Sequence, residues 1–175
     1  MAKQLMRSTE RYAIALISFV LGINVSLAEP TDSFVVAKNP IEMWALEVAG
    51  AKESIDVATF KFSSKEALAA LVAAQKRGLK VTLLIDGLEA TKSDKQFVKA
   101  REAGLDVYLW PSETIGEFHA KFTLIDAKVL VVGSFNLSKA ASKGNTESFL
   151  ITRDTTLVGA ASASFKNLLT QANRQ

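Results

Sequence analysis

The chain has 175 residues, 49% of them hydrophobic and 22% charged, with a formal net charge of +3, one histidine and no cysteine. That is enough for one domain with a substantial core, and too apolar for a disordered tail. Without cysteine there is no disulfide framework, and with a single histidine neither a metal site nor a cofactor is expected.

Residues 1–28 read as a secretory signal. Lys3, Arg7 and Arg11 form the basic start, residues 12–25 the apolar stretch, and Ser26-Leu27-Ala28 a small-x-small cleavage site before Glu29. The alternative is an uncleaved anchor, but the stretch is shorter than the roughly 20 residues a spanning helix needs and contains Asn24. A periplasmic or secreted protein of residues 29–175 is therefore expected. The segment carries three basic residues and Glu10, so without it the charge of +3 falls to +1. A basic field over the whole protein is not supported, although a local basic patch remains open.

Residues 34–36 suggest a first strand. Asn39 and Pro40 look like a helix cap followed by proline at the first helical position, and Ile41, Trp44, Ala45 and Val48 fall at helical spacing up to residue 51. Residues 54–60 alternate as a strand. Ser63 or Ser64 then caps a helix to about residue 77, stopped by Gly78, and the apolar run 81–85 reads as a central strand. A helix over 91–103 closes at Gly104 before a strand at 107–110. After a polar connection, 118–125 and 129–132 read as strands joined by a hairpin turn at Asp126-Ala127-Lys128. Residues 138–145 are a loop or short helix, 148–152 a strand, and Asp154 caps a last helix carrying Leu157, Ala161, Phe165 and Leu168. The expected fold is α/β in one domain: a mixed, largely parallel sheet with helices on both faces.

The lone histidine sits in His119-Ala120-Lys121, with Asp126 further along and Gly133-Ser134-Phe135-Asn136 after it. On a strand, His119, Lys121 and Thr123 share one face, so an imidazole and an ammonium are aimed at the same small volume. Gly133 permits a tight or positive-φ turn, and Ser134 and Asn136 supply hydrogen-bond donors around the same anion.

The pattern His-x-Lys-x4-Asp followed by Gly-Ser-x-Asn resembles the phospholipase D superfamily. Residues 42–51, 55–63, 70–78 and Leu83-Leu84-Ile85-Asp86 extend the likeness to its small single-motif bacterial endonucleases. The resemblance implies phosphodiester hydrolysis through a phosphohistidine. His119 is the attacking group, Lys121 and Asn136 bind phosphate, Ser134 is a neighbouring polar contact, Glu147 orients the imidazole, and Asp126 and Gly133 are structural. The superfamily needs two motifs and this chain holds one, so a homodimer with the site on its two-fold axis is implied. Nucleic acid is the implied substrate, with membrane phospholipid the alternative; an inactive nucleic-acid-binding module is a third reading.

Trp44 and Trp110 read as core or rim aromatics rather than base-stacking platforms, and Phe135 is open between core and site. Lys139 and Lys143 either track a nucleic-acid backbone or form a solvated loop.

Overall fold

The computed structural model describes residues 32–92 and 96–175; the expected signal segment, and residues 93–95 within the expected helix 91–103, lie outside them. Among the described residues no helix is long and apolar enough to cross a membrane. The elements in chain order are β1 (Ser33–Lys38), α1 (Pro40–Gly50), β2 (Ser54–Thr59), α2 (Lys65–Lys76), β3 (Lys80–Asp86), α3 (Gly87–Lys92) and α4 (Gln96–Glu102). They continue with β4 (Asp106–Trp110), α5 (Ser112–Ile115), β5 (Lys121–Ile125), β6 (Val129–Gly133), α6 (Lys139–Lys143), β7 (Thr146–Thr152), α7 (Thr155–Gln171) and β8 (Asn173–Arg174).

These strands form one sheet in the order β1-β7-β6-β5-β2-β3-β4-β8. β3 is an interior strand, between β2 and β4, and is apolar on both faces because both are covered. Val81, Leu83 and Ile85 join the larger core with Ile41, Trp44 and Val48 of α1 and Leu71 of α2. Leu84 points the other way, into a smaller core with Val158 and Phe165 of α7. Trp44 is a core residue, as expected, and its indole N–H donates to Thr123 Oγ1 at 2.9 Å.

The mixed α/β class with helices on both faces is as expected, but the sheet is not largely parallel. Parallel pairing is confined to β2 with β3 and β3 with β4, each joined by a helical crossover. The other pairings, including β5 with β6 and β6 with β7, are antiparallel. A parallel partner needs a crossover of about a dozen residues or more, and the short turn at Asp126 leaves none.

Local chemistry accounts for other differences. Asn39 adopts φ 54 and does not cap α1 with its side chain; its amide donates to Glu42 instead. Ser64 does cap α2, accepting from the Ala67 N–H. Helix resumes directly after β3 rather than at residue 91, because the Asp86 carboxylate accepts the Glu89 N–H at 2.9 Å. The polar connection holds the short α5, residues 138–145 contain α6 capped by Ser138, and the short edge strand β8 carries no recognisable period.

The β5–β6 hairpin turns through Asp126 and Ala127, at φ 54 and 49, with the Lys128 N–H closing on the Ile125 carbonyl at 2.9 Å. Consecutive positive-φ residues match the twist of a two-residue hairpin. The Asp126 carboxylate also accepts the backbone N–H groups of Lys52, Glu53 and Ser54, clamping the hairpin to the start of β2. Burial alone would raise this carboxyl. The amides of Ser54, Glu53 and Lys52 outweigh it, with Lys128 assisting, and hold it below the usual value.

With the folded carboxyl below its unfolded value near 3.9, the stabilisation is complete above that pH and lost as pH falls through the lower folded value. Asp126→Asn should cost about 2 kcal/mol at neutral pH, the scale of a lost charged hydrogen bond. Urea midpoints of the two proteins should differ most at neutral pH and converge as the pH falls through the lowered folded value. A gap that stays constant across that range would contradict the clamp.

Candidate active site

Strand direction collects the motif residues at one end of the sheet. β2 ends at Thr59, which pairs with Lys121 at the start of the antiparallel β5; β6 ends at Gly133, which pairs with Phe149 in the middle of β7. Asp126 closes β5 at its other end, about 17 Å away at ~3.4 Å per residue. In that position it serves as a structural clamp on the start of β2.

His119 lies just before β5 rather than on it, and is exposed. What fixes it is the residue before. Phe118 is buried against Trp110, with ring centroids 5.3 Å apart, and its N–H donates to Asp86 Oδ2 at 2.8 Å. Asp86 also accepts from the Ser112 hydroxyl and the Glu89 N–H. Burial would raise the Asp86 carboxyl, but the Ser112 hydroxyl and the amides of Phe118, Glu89 and Leu88 together hold it low. Trp110 is thus a rim aromatic, its indole N–H spent on the Gly116 carbonyl.

The Lys121 ammonium stands 3.1 Å from His119 Nδ1, 2.7 Å from the His119 carbonyl oxygen and 5.6 Å from the centre of the Phe60 ring. An ammonium has only donors, so beside a charged Lys121 the Nδ1 atom accepts and the ring proton resides on Nε2. Partial burial lowers the Lys121 pKa, and the charge of Glu147 opposes that shift.

Asn136 joins the group through β2: its Oδ1 accepts the Lys61 N–H at 3.2 Å, which leaves its Nδ2 hydrogens as donors. The turn behind it is pinned by the Ser63 and Ser64 amides, both donating to the Leu137 carbonyl. Phe135 is core, edge-on to Phe149 at 5.2 Å.

Gly133 does not use positive φ. A side chain there would lie 2.3 Å from the Ser148 carbonyl oxygen and 2.5 Å from Phe149 Cβ, so close approach of β6 and β7 requires glycine.

Ser134 and Glu147 form a separate pair. The Ser134 hydroxyl donates to Glu147 Oε2 and accepts the Ser148 N–H at 3.2 Å, while Asn145 Nδ2 donates to Glu147 Oε1 at 3.0 Å. The expected bond from Glu147 to the imidazole is not made in this arrangement. β7 lies beyond β6 from β5, roughly 10 Å away at two strand spacings, and the ring leans the opposite way, over β2. Glu147 acts on Lys121 through charge. Lys139 and Lys143 are exposed on α6, beside the Asn136 turn.

The sequence reading passed over Phe60 and Asp86. Phe60 packs on His119 with ring centroids 4.7 Å apart and an interplanar angle of 53°. Its only signal was an aromatic closing the expected strand 54–60. Asp86 was a lone acid ending an apolar run, a polar group whose burial demands partners. Among the described residues, no group of three or more His, Cys, Asp or Glu could hold a metal ion.

A sheet that gathers an imidazole, an ammonium and a primary amide from two neighbouring strand ends, with the motif's acid at the far end as a clamp, is the plan of a phospholipase D-like domain. The chain belongs to that family: residues 46–169 match the family described as cardiolipin synthase, PLD-like domain. It is 31% identical to a mitochondrial cardiolipin hydrolase of Xenopus laevis over 123 residues, covering 70% of this chain and 58% of that one. It is 33% identical to a phospholipase D of Rickettsia felis over 110 residues, covering 63% and 54%. The chain thus spans a little over half the length of these curated relatives. Among solved structures, Nuc of Salmonella typhimurium, a phospholipase D family member, superposes with TM-score 0.74 at 23% identity, over 84% of this chain and 99% of that one. NucT of Helicobacter pylori does so with TM-score 0.73 at 22% identity, over 83% and 99%. These two likenesses establish the shared fold.

Glu147→Gln removes the charge that supports the Lys121 ammonium. Lys121 should then titrate at lower pH than in wild type, followed by NMR of its side-chain carbon next to nitrogen; an unchanged or raised midpoint would show that Glu147 does not act on it.

Proposed function

We propose that this protein is an exported phosphodiesterase, a metal-independent endonuclease that cleaves DNA or RNA as a homodimer. The observation that carries the reading is the 3.1 Å approach of the Lys121 ammonium to the only imidazole in the chain, with Asn136 at the neighbouring strand end keeping its Nδ2 hydrogens as donors while Oδ1 accepts from Lys61. Lys121 and Asn136 neutralise the non-bridging oxygens of a phosphodiester. An imidazole nitrogen of one His119 attacks phosphorus in line, and the P–O bond to the leaving group breaks. His119 of a second copy protonates the departing oxygen. It then takes a proton from water, which attacks the phosphohistidine and frees the first ring with release of a phosphomonoester. Two identical imidazoles on one phosphorus must be related by a two-fold axis, so the interface is isologous.

Nucleic acid is favoured by the exposure of His119 at the end of the sheet and by the fold shared with Nuc. A second reading, hydrolysis of membrane phospholipid, is favoured by the names of the relatives at 31% and 33% identity. Both substrates are phosphodiesters, so the chemistry of the site does not choose between them.

Purified protein should cut plasmid DNA or RNA in EDTA, and His119→Ala should lower the rate at least about 10³-fold without unfolding the chain, the scale of removing a nucleophile. Intact nucleic acid together with headgroup release from phospholipid vesicles would move the assignment to the lipid reading. Binding without turnover on either substrate would leave an inactive binding module.

A further inference from the structure

We infer that Phe60 is a positioning residue for the reaction, an aromatic shelf that holds both His119 and Lys121 in their working geometry; the inference rests on the phosphodiesterase reading above. His119 is exposed and lies outside any strand, so its two side-chain torsions are not fixed by a packed core. The contact that restrains the ring is Phe60, at 4.7 Å and tilted by 53°, within the range that aromatic pairs prefer. The Lys121 ammonium stands 5.6 Å from the centre of the same ring, inside the reach of a cation–π contact. One side chain therefore touches both the imidazole and the ammonium, and braces the direct contact that Lys121 makes with Nδ1 and the His119 carbonyl.

The backbone makes that setting firm. Thr59 pairs with Lys121, so Phe60 follows the paired residue directly and is held under the start of β5 by the sheet itself. The next residue, Lys61, gives its N–H to Asn136 Oδ1, and Thr59 Oγ1 donates to the Lys61 carbonyl at 3.2 Å. A shift of Phe60 would disturb all three groups that meet the phosphate. With its ring spent on His119 and Lys121, Phe60 is not a free platform for stacking a base. Its effect should fall on the chemical step rather than on substrate capture.

Because the chain has a single histidine, protein made without a histidine tag gives one set of imidazole proton resonances, which reads the shelf independently of activity. In wild type, NMR should show nuclear Overhauser contacts between the Phe60 and His119 rings. Phe60→Leu keeps an apolar side chain but loses the ring. It should move the imidazole resonances, lower kcat by about 10²-fold, the scale of a small misplacement of reacting groups, and change KM by less than about threefold. Phe60→Tyr should restore the ring contact and most of kcat.

The shelf is refuted if folded Phe60→Leu keeps wild-type kcat, or if the imidazole resonances are the same with and without the ring. An effect confined to KM would make Phe60 a substrate contact instead. Should Phe60→Leu fail to fold, the wild-type Overhauser contacts and the kcat of Phe60→Tyr decide. Should wild type hydrolyse neither nucleic acid nor phospholipid, the function proposed above fails, and the NMR arm still decides whether Phe60 fixes the ring.

Discussion

The register between β2 and β5 is fixed at the end of the hairpin farthest from the reactive groups, where Asp126 collects the amides of Lys52, Glu53 and Ser54. A slip of one residue in a strand pair turns every side chain to the other face. With Asp126 locked to the start of β2, Lys121 comes to stand opposite Thr59, Thr123 receives the Trp44 indole N–H, and Phe60 emerges under the imidazole. The motif's acid thus contributes to chemistry from a distance, by deciding which face of β5 the ammonium occupies. Asp86 does for the His119 approach what Asp126 does for the hairpin. In each case a carboxylate that burial would neutralise is kept charged, by the Ser112 hydroxyl and backbone amides at Asp86 and by backbone amides at Asp126, and it spends that charge on holding chain segments distant in sequence.

Much of this was legible in the residues because it is local. The hairpin turn, the Ser64 cap, the burial of Trp44 and the β3 core strand follow from spacing and turn chemistry. The convergence of His119, Lys121 and Asn136 follows from the motif. What was not legible depends on pairings between distant segments. Nothing near Phe60 announces that it will lie beneath an imidazole 59 positions later in the chain. The glycine at 133 was readable as a requirement, but its cause was crowding by β7, which becomes visible only once β6 and β7 are paired. The largely parallel sheet failed for a related reason: strand and helix alternation governs β2 to β4, and the hairpins beyond Lys121 return the chain in antiparallel pairs.

Glu147 is the most instructive departure. The family resemblance implies a carboxylate on the imidazole, yet here the carboxylate is held by Ser134 and Asn145 while Nδ1 faces Lys121. An imidazole whose Nδ1 accepts from an ammonium is neutral and carries its proton on Nε2. Protonating a leaving oxygen takes an imidazolium, protonated on both nitrogens, and attack through Nε2 takes a ring whose proton sits on Nδ1. Under the proposed mechanism the two copies of His119 play these two parts, and in both of them Nδ1 has to exchange the Lys121 ammonium for a hydrogen-bond acceptor.

A shared phosphorus between two copies of one histidine is tested most directly by counting covalent intermediates. Protein mixed with excess oligonucleotide is quenched within a turnover into alkaline denaturant, which preserves phosphohistidine, and the intact chain mass is measured. The symmetric site predicts an adduct on His119 in at most about one chain of every two, since each two-fold site accommodates a single phosphorus. Adduct on nearly every chain would contradict the shared site, and turnover with no adduct on His119 under conditions where the intermediate should accumulate would contradict its role as the nucleophile.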